Sequence, residues 1–179
     1  MANEPDSGAL SGPVGLIDKF VGWVGRIVAW ATVGLVLLVA YNVLARYLFS
    51  VGSVGMQELE WHVLALTALI GMSYGVNRGD EVRVDMLYAR YGPRTKAIVD
   101  IISAALMLFV AVFLANKALA YVGQSYQFNE GSPDPGGLPY RFVLKSFIPI
   151  GFVLLALQSI VEIAKAIGRL RVARDGRSS

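Results

Sequence analysis

"IVAWATVGLVLLVAYNVLA" (residues 27–45) is nineteen consecutive residues without a charge, bounded by Arg26 and Arg46. A helix needs about 20 mostly apolar residues to cross the hydrocarbon core of a bilayer. Helical character extends outward from this run, from Leu16 to Phe49, giving a helix of about 51 Å. The core is only about 30 Å thick, so such a helix tilts strongly or lays its first turns along the interface. Asp18, Lys19 and Trp23 then suit headgroup level.

Beyond it, Gly52, Ser53 and Gly55 make a short turn, and three further segments follow. "WHVLALTALIGMSYGVN" (61–77), "IISAALMLFVAVFLAN" (101–116) and "SFIPIGFVLLALQSIV" (146–161) contain no Asp, Glu, Lys or Arg. They are short for spans and on their own could be buried core helices. Lys96, Lys117, Lys145 and Lys165 flank them, and their long stems can carry the charge out to the headgroups. Composition favours spans. The chain is 55% hydrophobic and only 16% charged, with mean hydropathy +0.56, whereas soluble domains carry about 25% charged residues. Four hydrophobic segments in 179 residues leave too little polar chain to cover them.

The expected architecture is an all-α membrane protein of four tilted transmembrane helices, at about 16–49, 57–78, 94–122 and 140–168. Residues 1–15, rich in Gly, Pro, Ser and Ala, read as a disordered tail, and 169–179 as a basic cytoplasmic tail. Pro149 is a candidate kink near the start of the fourth helix. With four crossings, twelve of the sixteen Lys and Arg residues fall on the side of the two termini. The excess of basic residues marks the cytoplasmic side, which places both termini in the cytoplasm. "GVNRGDEVRVDMLYARYGPR" (75–94), with seven charges in twenty positions, is then a cytoplasmic hinge between two helix pairs. Its middle, "VRVDMLYARY", reads either as an interfacial helix on the inner membrane surface or as a solvated loop.

Ionisable groups in or near a span are the natural functional candidates. Arg46 ends the first helix, and Glu58 and Glu60 open the second across a short external turn. An Arg46–Glu58 pair bracing that turn is the structural reading, and direct ligand contact the functional one. Asp100 lies one turn from Lys96, close enough for a local pair. His62, the single histidine, reads as a hydrogen-bonded packing residue. Asn42, Thr67, Ser73, Ser103, Asn116 and Gln158, with Gly71 and Gly75 of a GxxxG pattern, suit close helix contacts.

No helix centre carries a carboxylate, as a small proton-coupled exporter would need. There is no cysteine, no Gly-rich phosphate loop, no His–carboxylate metal cluster and no serine motif with a base. No catalytic residue, metal site or cofactor is expected, and no nucleic-acid partner. Hydrophobic mass without chemistry points to a subunit that packs against something else in the lipid bilayer.

"NVLARYLF" (42–49) and "QELEWHVLALTALIGMSYGVNRGDEVRVDMLY" (57–88) resemble the small membrane subunit of tripartite ATP-independent periplasmic (TRAP) transporters. The family pattern is matched by Arg46-Tyr47, Glu58-Leu59, Gly71, Arg78, Gly79 and "VRVD" (82–85). Gly55 and Met56 stand where many members have Trp before the Glu-Leu, and Glu81 where many have His. "SPDPGGLPYRFVLKSFIPIGFVLLALQ" (132–158) is similar to the branch labelled for mannitol or chloroaromatic compounds.

The resemblance implies an accessory subunit in a bacterial or archaeal inner membrane. It would brace a large membrane subunit that takes up an organic anion on a cation gradient, usually sodium. A soluble periplasmic substrate-binding protein would deliver that anion. Interface or structural candidates are Arg46, Glu58, Glu60, Trp61, Gly71, Gly75, Arg78 and Asp85. The loop "NEGSPDPGGLPY" (129–140) lies on the expected periplasmic side, which makes Asp134 and Arg141 docking candidates for the binding protein. The alternatives are a stand-alone homo-oligomeric four-helix transporter or channel, and a membrane anchor for a cytoplasmic enzyme through the basic tail.

Overall fold

A computed structural model describes residues 12–80, 88 and 90–175. Four helices make up nearly all of it: α1 Pro13–Phe49, α2 Val54–Arg78, α3 Pro93–Gln127 and α4 Arg141–Asp175. All four are long and apolar enough to cross a membrane. Proline near the first position starts α1 and α3, where its missing N–H costs nothing. α2 begins three residues before its expected start, and α4 continues to Asp175, past the expected end at 168. The basic run after 168 is therefore mostly helix, because "GRLRVAR" contains good helix formers and only one glycine, at its start. α4 also continues through Pro149. Residues 1–11, 81–87, 89 and 176–179, which include Asp85 and most of the middle-loop segment, lie outside the described residues.

Two helix ends close in the same way. The N–H groups of Gly79 and Asp80 bond the carbonyls of Val76 and Gly75 at the end of α2, with Gly79 at φ +73°. At the end of α3, Asn129 and Glu130 do the same to Tyr126 and Ser125, with Asn129 at φ +45°. Each is a left-handed cap that satisfies the last carbonyls. The second one aims Glu130 back at the bundle.

α4 is the central helix. It packs against α3 along its length, against α2, and more lightly against α1, while α1 packs mainly on α2. The α3 face toward α4 is a stripe of small residues at a spacing of seven: Ala97, Ala104, Ala111, Ala118 and Ser125, all buried. That heptad interval keeps the stripe against one partner along a left-handed crossing. With lipid tails as apolar as leucine, close van der Waals packing between small residues is what drives helices together.

The second contact zone joins α1, α2 and α4. Val21, Val28, Ile70 and Leu154 form its buried cluster, with Ile17, Val24 and Leu66 against it. Close approach is made by glycines: Gly25 of α1 lies on the Tyr74 ring, Gly22 lies beside Asn77, and Gly151 of α4 lies on the Leu69 carbonyl. The GxxxG pair does not take part. A Cβ added at Gly71 or Gly75 would meet nothing within 4 Å. The glycines that count are instead on α1 and α4, where they face a tyrosine and a backbone.

Candidate functional site

Polar side chains gather at the two ends of the bundle. At the end opposite the termini, α2 opens with Glu58, which is 1% exposed. Its carboxylate accepts bonds from the Ser132 hydroxyl and the Leu138 N–H of the α3–α4 connection. Arg141, at the start of α4, pairs with it at 3.5 Å. The connection is shaped to reach it. Gly137 lies so close to Ser132 and Glu58 that a Cβ would collide with both, and the Gly136 carbonyl would lie 3.2 Å from a Cβ at Gly55.

Glu130 ties down the other side of the same loop. It takes the Lys145 ammonium and the Ser125 hydroxyl, while its own carbonyl accepts the Arg141 N–H at 2.9 Å. The bond from Lys145, followed by that from Ser125, holds the Glu130 carboxyl below its ordinary pKa. Lys145 in turn lies 4.0 Å from the centre of the Tyr121 ring. Two carboxylates, Glu58 of α2 and Glu130 of the connection itself, thus clasp one connection.

The expected Arg46–Glu58 pair does not form. Glu58 and Glu60 are two residues apart, about 200° around the helix, so they face opposite ways. Glu58 faces the α3–α4 loop and takes Arg141, whereas Glu60 faces α1 and accepts a bond from Asn42 at 2.7 Å. Arg46 makes no ion pair among the described residues. It lines an open groove of about 400 Å³ with Asn42, Val43, Tyr47, Gln57 and Glu60.

At the end that carries both termini, a polar network joins three helices. Asp18 Oδ1 of α1 accepts from Asn77 of α2 at 2.9 Å and from Gln158 of α4 at 3.2 Å. Lys165 Nζ lies 2.9 Å from both Asp18 and Glu162. Gln158 is fully buried; its amide N–H also bonds Glu162 and its carbonyl accepts from Asn77. Two carboxylates share one ammonium, and two amides carry the remaining bonds. α3 is tied to α4 beside this network by Asp100, which accepts from Arg169 at 2.9 Å and from the Tyr88 hydroxyl. Lys96 is over the Tyr88 ring rather than on Asp100, so the Lys96–Asp100 pair that the spacing allows gives way to Arg169.

Among the described residues, every buried side-chain nitrogen and oxygen has a hydrogen-bond partner. Such a fully connected set rigidifies what it joins, since a lost partner would leave a buried polar group unpaired. Chemically, both sites hold helices in place.

A family model for tripartite ATP-independent periplasmic transporters, DctQ component, matches residues 35–169. The chain belongs to the DctQ family. No curated protein matches it. The family is one of transporter components, and with four helices able to span a bilayer the chain is a multi-pass membrane protein. The match takes in all of the loop clasp and most of the network at the end of the termini, while Asp18 lies before it.

The family-like residues occupy different settings. Glu58 is wholly engaged, and Trp61 is half exposed, its ring edge-on to His62. The His62 Nδ1 meets the Glu58 carbonyl within its own helix. Arg78 is exposed at the end of α2, and Asp134 is exposed with its N–H on the Ser132 hydroxyl.

Ser132, Glu130, Lys145, Asn77, Glu162 and Lys165 were not among the site residues expected from sequence. Part of the three-helix network carried a signal. Gln158, Glu162 and Lys165 recur at intervals of four and three, a polar stripe on one face of an apolar helix. Asp18, 140 residues away in sequence, carried none.

Proposed function

We propose that this DctQ chain is the small accessory membrane subunit of a TRAP transporter and braces the large transport subunit. The complete system takes up an organic anion delivered by a soluble periplasmic binding protein. Uptake is secondary and driven by a cation gradient, with sodium the usual ion in the resembled family. The assembly belongs in a bacterial or archaeal inner membrane, with both termini of this chain in the cytoplasm. Residues 132–158 favour the mannitol or chloroaromatic branch.

One observation carries the reading. The buried polar groups of the described residues are spent on holding this chain's own helices and loop together, as a brace requires. Substrate handling then falls to the partner. Gly71 and Gly75, with open space in front of them, offer a face on α2 where a helix of that partner could approach closely. The α3–α4 loop, clasped by Glu58 and Glu130, presents Asp134 outward for the binding protein.

Co-expression of this chain with the large membrane subunit of its own system tests the proposal. A tag on this chain should bring down the large subunit from detergent extracts in constant ratio. Gly71→Leu with Gly75→Leu should break that association without unfolding the chain. Independent migration of the two wild-type proteins would overturn the brace.

A further inference from the structure

The end of the α3–α4 hairpin that carries the C-terminus holds a groove of about 230 Å³, lined by Arg94 and Ile98 of α3 and Leu170 and Arg174 of α4. Each helix contributes an arginine and an aliphatic residue four positions apart, one turn along the same face. Because the helices are antiparallel, both arginines lie at the outer end and both aliphatic residues lie deeper. Neither Arg94 nor Arg174 makes an ion pair among the described residues, although Arg169, one turn away on α4, is matched to Asp100. Ile98 is 41% exposed, an apolar floor left uncovered.

Depth fixes the kind of ligand. The uncharged run of α3 starts at Ile101, so Arg94 lies about 10 Å beyond it, at headgroup level. Ile98 lies between the two levels. Two guanidiniums without an ion pair among the described residues, over an aliphatic floor, match a phosphate ester attached to an acyl chain, since guanidinium binds phosphate oxygens in a fork.

We propose that this groove binds one anionic phospholipid of the leaflet on the side of the termini. Its phosphate lies between Arg94 and Arg174, and the start of an acyl chain lies on Ile98 and Leu170. A free phosphate would use the arginines but gain nothing from the apolar floor. The bound lipid would fasten the open end of the hairpin, which lacks a loop there.

The full chain, purified in mild detergent, is titrated with phosphatidylglycerol, phosphatidylcholine and inorganic phosphate, with binding read by native mass spectrometry and melting temperature. Phosphatidylglycerol should be retained and raise the melting temperature, and the other two should do neither. Arg94→Gln and Arg174→Gln should each weaken retention about fivefold, while Arg171→Gln on the same helix end should not. In the wild-type chain, a phosphatidylglycerol carrying a photoreactive group near the top of its acyl chain should label Ile98 or Leu170. Equal losses in all three variants would mean diffuse attraction of charge and would overturn the site. So would retention of inorganic phosphate to the same degree, or labelling spread along the lipid-facing side of α3.

Discussion

At the scale of single residues, Glu58 and Arg46 separate most clearly what sequence could and could not supply. Both flank the same turn, and proximity alone suggested that they pair. The direction of Glu58 around α2 sends it to Ser132, Leu138 and Arg141 instead. Glu58→Ala would leave the Leu138 N–H, the Ser132 hydroxyl and the Arg141 guanidinium without their acceptor, and unmade bonds of buried groups are costly. The purified variant should melt at a lower temperature than the wild type, and protease should cut between 129 and 140. Arg46→Ala, at an open groove, should change neither.

Glu130 gives a pH dependence. Its folded pKa is depressed, chiefly by Lys145, so its contribution exists above the usual carboxylate range and disappears as pH falls through the lowered value. The loop should therefore resist protease equally from about pH 8 to about pH 5, since an unperturbed Glu titrates near 4.3. Release should come only in stronger acid, and loosening between pH 7 and 6 would contradict the clasp.

At the scale of elements, four helices were legible because hydrocarbon runs of span length have few alternatives. Their ends were less so. Helices of 25 to 37 residues outlast the charge-free runs, and charged residues continue a helix as readily as they end a span. Packing was legible in part. Ala97, Ala104, Ala111, Ala118 and Ser125 recur at intervals of seven, a signal present in the sequence, whereas GxxxG drew attention to glycines that pack against nothing. Which glycine meets a neighbour depends on helix rotation, which local sequence does not fix.

Ala111→Leu, placed against α4, should destabilise the isolated chain by about 1–3 kcal/mol through overpacking. Val112→Leu, on the exposed side of α3, should be neutral. Gly151→Ala would put a Cβ 2.9 Å from the Leu69 carbonyl, so α2 and α4 must part and melting should fall. Gly75→Ala has open space and should stabilise the isolated chain by about 0.5–1 kcal/mol, because alanine loses less backbone entropy in a helix. Thermal unfolding in one detergent compares all four. A fall for Gly75→Ala equal to that for Gly151→Ala would refute the assigned packing.

At the scale of the whole molecule, α4 holds the fold together, and α3 reaches the rest of the bundle through it. The polar networks close the two ends, so the chain is built as a rigid frame. Orientation can be tested on a chain with no cysteine of its own. Single cysteines at Ser7, Asp134 and Ser178 should react with an impermeant thiol reagent only at position 134 in spheroplasts. Reaction at 178 and not at 134 would invert the arrangement.

The central claim is that this chain braces a transporter and does not itself transport. The direct measurement is uptake into liposomes under a sodium gradient, with the binding protein and its substrate outside. Three preparations are compared: this chain alone, the large subunit alone, and both together. Uptake should appear with both and be absent with this chain alone; substrate accumulation by this chain alone would contradict the account.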